Sequence, residues 1–272
     1  MKKIKSPIEF KSIKREFILL NIPFDSNSRI PGAKISPSSI LNYIHHNKAL
    51  YFDNLNFYYN LSVLNNRIDL TFFNVEDISK KILSSNNKIF MIGGDHSLTY
   101  PIVKTLNEFS KFTLVVLDAH HDSHVSPTIK NWSFIRNLSS IINEIVIIGN
   151  REHYTEKPTN VNIIEIEKIL LDSKSKDIQD ILFNNISNRN IYLSIDIDVL
   201  DPAYFPGVSY PLIGGLDYIT LKYTISLLFR HYNVLSLDLV EFNPMIEEKL
   251  STTVMIQLIQ HIDRSIKYVQ VE

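Results

Sequence analysis

The 272-residue chain carries a formal net charge of −1, so its overall balance recruits neither nucleic acid nor an anionic membrane surface. It contains no cysteine, which excludes disulfides and thiolate metal sites and leaves nitrogen and oxygen as the ligands for any metal. With 44% hydrophobic and 21% charged residues, a chain of this length is expected to bury one core as a single domain over residues 1–272.

The amino terminus is basic, but its apolar stretch from Phe17 runs into a polar turn rather than a cleavage-like site, so no signal peptide is expected. No window approaches the roughly 20 apolar residues needed to span a bilayer, and a soluble, cytoplasmic protein is expected. Short runs rich in β-branched and aromatic residues then recur at Phe17 to Asn21, Lys88 to Ile92, Phe112 to Leu117, Glu144 to Ile148, Val161 to Ile166, Ile191 to Ile197 and Val234 to Val240. Amphipathic stretches between them, Glu76 to Ser84, Ser97 to Phe109 and Leu216 to Leu228, predict crossover helices, with Ser97 and Asp217 as N-caps. Continuous apolar strands alternating with helices predict an α/β fold, a three-layer α/β/α arrangement around a mostly parallel central sheet. No internal repeat or linker interrupts the pattern.

Only seven glycines occur, where average usage of about 7% would give more than twice as many. All of them fall at predicted strand ends or in the loops that follow, the edge where open α/β sheets bind ligands.

Four segments at those ends carry acidic or imidazole side chains: GGDHS at Gly93 to Ser97, DAHHDSH at Asp118 to His124, SIDIDVLDP at Ser194 to Pro202 and VEFNP at Val240 to Pro244. Asp118, His120 and Asp122 are spaced by two, as are Asp196 and Asp198, so in extended backbone each set points to one side. Four carboxylates in one dry crevice repel one another unless cations balance them. Two divalent ions would do so, with His96 and His120 as neutral ligands, and oxygen-dominated ligation with some imidazole suits manganese while leaving other divalent metals open. Paired ions can lower the pKa of a shared water, which describes a hydrolase. A lone Asp-x-Asp is commonly a solvated turn; the weight lies in the conjunction of the four segments. Asp95 and Asp201 read as turn or supporting residues, and His45, His46, His231 and His261 as structural or surface positions. Tyr154, Tyr204 and Tyr210 read as pocket-mouth or packing residues.

The order GGDHS, DAHxD, SxDxDxxDPxxxPG and Glu-x-Asn-Pro resembles the ureohydrolase family of arginases, agmatinases and formimidoylglutamases. IPFDSNSRIPGAKISPSSI resembles its amino-terminal segment, so the likeness covers most of the chain. The resemblance implies one manganese ion held by His96, Asp118, Asp122 and Asp196 and a second by Asp118, His120, Asp196 and Asp198. Asp122 would also orient the nucleophile, and Glu241 would position a substrate guanidinium, giving urea and an amine. GNREH resembles a family stretch whose acidic residue binds an α-amino group, making Glu152 a candidate substrate contact. The resemblance further implies a homotrimer or homohexamer.

Two departures stand out. Where the family carries a proton-shuttle histidine this chain has Asn131, followed by Trp132, and asparagine cannot shuttle a proton at neutral pH. His121 or His124 then becomes the candidate catalytic histidine, or turnover is slow. The loop after DAHHD is shorter than in arginases, with His124 where they have an amide that grips the substrate carboxylate. Three functions stay open: hydrolysis of an arginine- or agmatine-like guanidine, hydrolysis of another guanidine or amidine such as formiminoglutamate or an arginine within a peptide, and a metal-binding member with little activity. A two-metal phosphatase ranks low, because no Lys or Arg lies within the ligand motifs and Glu241 would repel a phosphate.

Overall fold

The computed structural model describes residues 17–46, 56–60, 72–170 and 177–269. Its eight strands are β1 (Phe17–Asn21), β2 (Asn56–Asn60), β3 (Lys88–Ile92), β4 (Thr113–Leu117), β5 (Ile145–Asn150), β6 (Val161–Glu165), β7 (Asn190–Asp196) and β8 (Asn233–Val240). They form one sheet in the order β2-β1-β3-β8-β7-β4-β5-β6, and every neighbouring pair is parallel. β2, at one edge, was not expected.

Alternate residues of each central strand enter two different cores, as the two-residue period of a pleated strand requires. Leu19, Phe90, Val115, Leu193 and Leu237 pack on one side. Ile18, Ile89, Leu114 and Tyr192 pack on the other, joined by Leu235, where a register shift between β7 and β8 interrupts the alternation with Leu237. A helix from Phe72–Ser84 (α2), one from Thr99–Leu106 (α3) and a short one from Phe134–Leu138 (α4) cover the second side, where Val75, Ile82, Ile102 and Phe134 are buried. The first side is covered by Ser36–His46 (α1), Ile166–Leu170 (α5), Asp177–Asn185 (α6), Tyr218–His231 (α7) and Lys249–Val269 (α8). Strands buried on both faces explain why their sequences are continuously apolar, and the outcome is the expected three-layer α/β/α fold.

The three expected crossover helices correspond to α2, α3 and α7. Asp217 caps α7 as expected, its side chain accepting the backbone N–H of Thr220 at 2.8 Å. Ser97 does not cap α3. Asp95 instead caps a 3-10 turn over His96–Leu98 by accepting the Ser97 N–H, and α3 starts at Thr99. Among the described residues no helix is long and apolar enough to cross a membrane.

Candidate active site

β3, β8, β7 and β4 are consecutive in the sheet, and each ends in one of the four polar segments. The parallel arrangement therefore brings residues from 93 to 241 to one edge. At three of these ends the strand breaks by the same device, an aspartate side chain accepting the N–H two residues on. Asp95 accepts from Ser97 at 3.1 Å, Asp118 from His120 at 2.6 Å and Asp196 from Asp198 at 2.9 Å. The backbone after Asp118 and Asp196 is thus turned rather than extended, with a 3-10 turn over Ile197–Val199. The spacing by two still gathers these side chains, but through a tight turn and not through strand alternation.

His96 Nδ1 lies 3.1 Å from Asp118 Oδ2, 3.1 Å from Asp196 Oδ2 and 3.3 Å from Asp122 Oδ2. His120 Nδ1 lies 3.0 Å from Asp198 Oδ2 and 3.6 Å from Asp118 Oδ1. His96, Asp118 and Asp196 form one group able to hold a metal ion, and Asp118, His120 and Asp198 a second, so Asp118 belongs to both. Asp122 reaches the first group from a left-handed backbone at φ 46°, a conformation kept only where the surroundings enforce it.

The tautomer of His96 follows from its other neighbour. Ser194 Oγ donates to Asp238 Oδ1 at 2.6 Å, so its single proton is committed and the 2.8 Å contact with His96 Nε2 requires Nε2–H to be the donor. Nδ1, facing three carboxylates, is then the position left for a proton or a metal ion. Asp238 is fully buried and also accepts from Tyr192 Oη at 2.6 Å and Thr99 Oγ1 at 2.9 Å; burial raises its pKa while these donors hold it down. Arg151 directs its guanidinium to carbonyls of Asp198, Leu200 and Leu212, at 2.7, 3.2 and 2.8 Å, and so buttresses the turn that carries Asp198.

His96 Nδ1 and Asp118 Oδ2 are buried and have no hydrogen-bond partner among the described residues. Buried polar atoms left this way cost roughly 1–3 kcal/mol each, and a cation between them would satisfy both. The electrostatics agree. Burial and the neighbouring charge of Asp118 push Asp122 up to about 7, and burial with the charges of Asp198 and Asp118 puts Asp196 well above the carboxylate range. For Asp118, burial raises the pKa, but contacts with His120 and His96 outweigh it and hold the carboxyl below the ordinary range. Burial lowers both imidazoles, and the carboxylates more than reverse it. Without a metal, such a cluster holds protons where divalent ions would otherwise sit; the donor set fits two hard or borderline cations.

Above the cluster is a cavity of about 420 Å³ lined by, among others, Arg29, His124, Asn131, Trp132, Glu152, Tyr210 and Glu241. Glu241 follows β8 in a left-handed conformation, φ 66°. Its Oε1 accepts from His96 N at 2.8 Å and Asn131 Nδ2 at 3.0 Å, while Oε2 is buried without a partner among the described residues. Burial first, then the charge of Asp95, pushes Glu241 up to about 8. Asn131, buried at 6% exposure, is therefore a neighbour of the Glu241 carboxylate. Glu152 receives His121 N at 3.3 Å and stands 3.4 Å from His121 Nε2 and 3.3 Å from His124 Nε2. His121 Nδ1 accepts the Ser123 N–H at 3.2 Å, which fixes its proton on Nε2, facing Glu152. Unlike His124, it does not line the cavity.

Of the tyrosines, Tyr210 lines the cavity, Tyr154 packs on the His121 ring and Tyr204 is exposed. Asp201 closes the following loop by accepting from Ala203, Gly214 and Gly215 N–H groups, and Asp95 holds Asn27 as well as Ser97. His261 meets Ser226 and the Lys222 carbonyl, and His231 packs on Phe183. The side chains of His45 and His46 lie outside the described residues. Sequence reasoning missed Arg29, Ser194 and Asp238. An aspartate inside the apolar run of β8 was the available signal for the last, since an acidic side chain between buried strands needs donors.

A family model described as the arginase family matches residues 15–262. An agmatinase of Blochmanniella floridana is 27% identical over 273 residues, covering 89% of this chain and 86% of that protein. Among solved structures, agmatine ureohydrolase of Thermoplasma volcanium superposes with a TM-score of 0.75 at 23% identity, over 93% of this chain and 90% of the other. Formimidoylglutamase from Bacillus subtilis superposes with a TM-score of 0.77 at 19% identity, over 98% and 96%. At these identities the two structures establish a shared fold.

Proposed function

The chain belongs to the arginase family, and on that premise we propose that it hydrolyses a guanidino C–N bond, releasing urea and an amine, at a centre of two divalent ions, manganese first among the candidates. The observation that carries the reading is the pair of buried, partnerless atoms His96 Nδ1 and Asp118 Oδ2, 3.1 Å apart within a cluster of four aspartates. Agmatinases and a formimidoylglutamase among the similar proteins support a linear guanidine or amidine as substrate.

His96, Asp118, Asp122 and Asp196 would hold one ion, and Asp118, His120, Asp196 and Asp198 the other. Bound there, the ions supply Lewis acidity and lower the pKa of water. The chain's own residues do the rest. Asp122, held by its strained backbone, orients the nucleophile. Glu241 offers Oε2, its free oxygen, to the guanidinium, while Asn131 and the His96 N–H hold Oε1 and fix the carboxylate plane. A cationic guanidinium favours the ionised form of a glutamate that burial has pushed up. Glu152, on another wall of the cavity, is placed to meet a polar group at the far end of the substrate. Of the two candidate proton carriers we favour His124, whose ring lines the cavity, over His121, whose Nδ1 is occupied by the Ser123 N–H. Cytoplasmic placement and a trimeric or hexameric assembly belong to the same proposal.

The test is urea release by manganese-loaded protein over arginine, agmatine, 4-guanidinobutyrate, 3-guanidinopropionate and an arginine-containing peptide, with Asp118→Ala as control. Metal-dependent urea from one or more, lost in the variant, is the expected result. Two bound metals by elemental analysis with no urea from any of them overturns the reaction.

A further inference from the structure

Among the described residues, Arg29 is the single Lys or Arg side chain lining the cavity. A pocket whose floor awaits a cationic guanidinium has no use for a second positive charge unless another part of the substrate is negative. The Arg29 guanidinium lies 4.2 Å over the ring of Trp132, and no carboxylate among the described residues pairs with it. Stacking on an aromatic face holds the guanidinium without consuming its fork of N–H donors, the arrangement that recognises a carboxylate in two parallel hydrogen bonds.

The loop that carries Arg29 is fastened to the catalytic segments. Asn27 donates its backbone N–H to Asp95 Oδ2 and its side-chain amide to Ser97 Oγ, both at 3.0 Å, in the segment that contains His96. Asp25 accepts the Gly32 N–H at 2.7 Å and closes the loop on itself. Gly32, at φ 133°, lies so close to Asn243 that a Cβ there would stand 2.1 Å from its Oδ1, and Asn243 Nδ2 donates to the Pro31 carbonyl. Both flanks of Arg29 thus rest on the segments that bear His96 and Glu241.

We propose that Arg29 is a specificity residue that selects substrates with a carboxylate at the end remote from the guanidino group and disfavours those ending in an ammonium. This rests on the guanidino hydrolase reading above. Asp122, Asp196, Asp198 and Glu241 also line the cavity but belong to the metal and guanidinium end, which leaves Glu152 to oppose it; the Glu152 carboxylate already faces the His121 N–H and both His121 and His124 rings, whereas no carboxylate among the described residues pairs with Arg29. Although Arg29 is exposed, attraction for one ligand and repulsion of the other act together on the ratio.

Trp132 is the only tryptophan in the chain, so its fluorescence reports binding beside Arg29 without turnover. Metal-loaded wild type, Arg29→Gln and Arg29→Glu would each be titrated with 4-guanidinobutyrate and with agmatine, while urea is measured in the same samples. Wild type should bind the carboxylate at least about tenfold more tightly, the worth of one charge-assisted contact. Arg29→Gln should weaken it about tenfold and strengthen agmatine, and Arg29→Glu should invert the order. Agmatine bound as tightly as 4-guanidinobutyrate by wild type, or a ratio indifferent to both substitutions, overturns the proposal. Urea decides the reaction separately: a ratio that follows Arg29 with no urea removes the hydrolase reading alone, and urea with an indifferent ratio removes the role of Arg29 alone.

Discussion

Replacing Ser194 by alanine probes how His96 is prepared for a metal. The hydroxyl accepts the His96 Nε2–H at 2.8 Å and donates to Asp238 at 2.6 Å, and all three residues are fully buried. The substitution leaves a buried imidazole N–H without an acceptor, at a cost of about 1–3 kcal/mol, and removes one of the three hydroxyls that hold the Asp238 carboxylate. It also frees the ring to rotate or change tautomer, and loss of such an outer partner typically costs 10–100-fold in metal affinity. Metal-free Ser194→Ala protein should therefore unfold about 1–3 kcal/mol more easily in urea. Competition with a chromophoric chelator should show its manganese affinity reduced by roughly 10–100-fold. Unchanged affinity in a destabilised variant would refute the reasoning, because the hydroxyl would then be packing and not tautomer control.

Gly94 lies where an added Cβ would stand 1.8 Å from the Phe24 carbonyl oxygen, so Gly94→Ala must displace backbone beside His96; a loss of about 3 kcal/mol or a failure to accumulate as folded protein is expected, read by denaturant titration. Asp217→Ala removes the α7 cap and should cost about 1 kcal/mol. Although burial opposes it, hydrogen bonds from Thr220 hold Asp217 below the ordinary carboxylate pKa of 3.8, so the difference from wild type should be complete above that pH and shrink as the pH falls through the folded value. Asn131→Ala frees Glu241 Oε1 from a charge-assisted donor at 3.0 Å and should raise KM about tenfold with a smaller change in kcat, measured by urea release. Removing metal by dialysis against a chelator should lower Tm reversibly. Re-addition at about 1,000 times Kd should return about 4 kcal/mol, and a Tm indifferent to metal counts against the centre.

The ligand candidates were legible because each sits in a short segment at the end of a strongly apolar strand, and a strand buried on both faces reads plainly in one dimension. Edge strand β2, NFYYN, has no such run, and helix α8 escaped notice because its β-branched residues read against helix locally while its apolar face, Met255, Leu258, Ile259 and Ile262, is periodic. The contacts that shape the site join distant positions: Asn131 to Glu241 across 110 residues and Asn27 to Ser97 across 70. No local pattern announces such pairs. Asn131 shows the limit well, since its departure from the family pattern was visible in the sequence and its partner was not.

Because β8 is inserted between β3 and β7, the strands bearing His96 and Asp118 are never neighbours, and the two that join them are the last made. A chain emerging from the ribosome has its first two acidic segments in hand while the middle of the sheet does not exist. Both half-sheets then present open parallel edges, which invite misassociation until β7 and β8 slot between them. Metal affinity should consequently arise in one late step rather than strand by strand, and a chain stalled before Asn233 would have all six ligand residues but lack β8, the strand that joins β3 to β7.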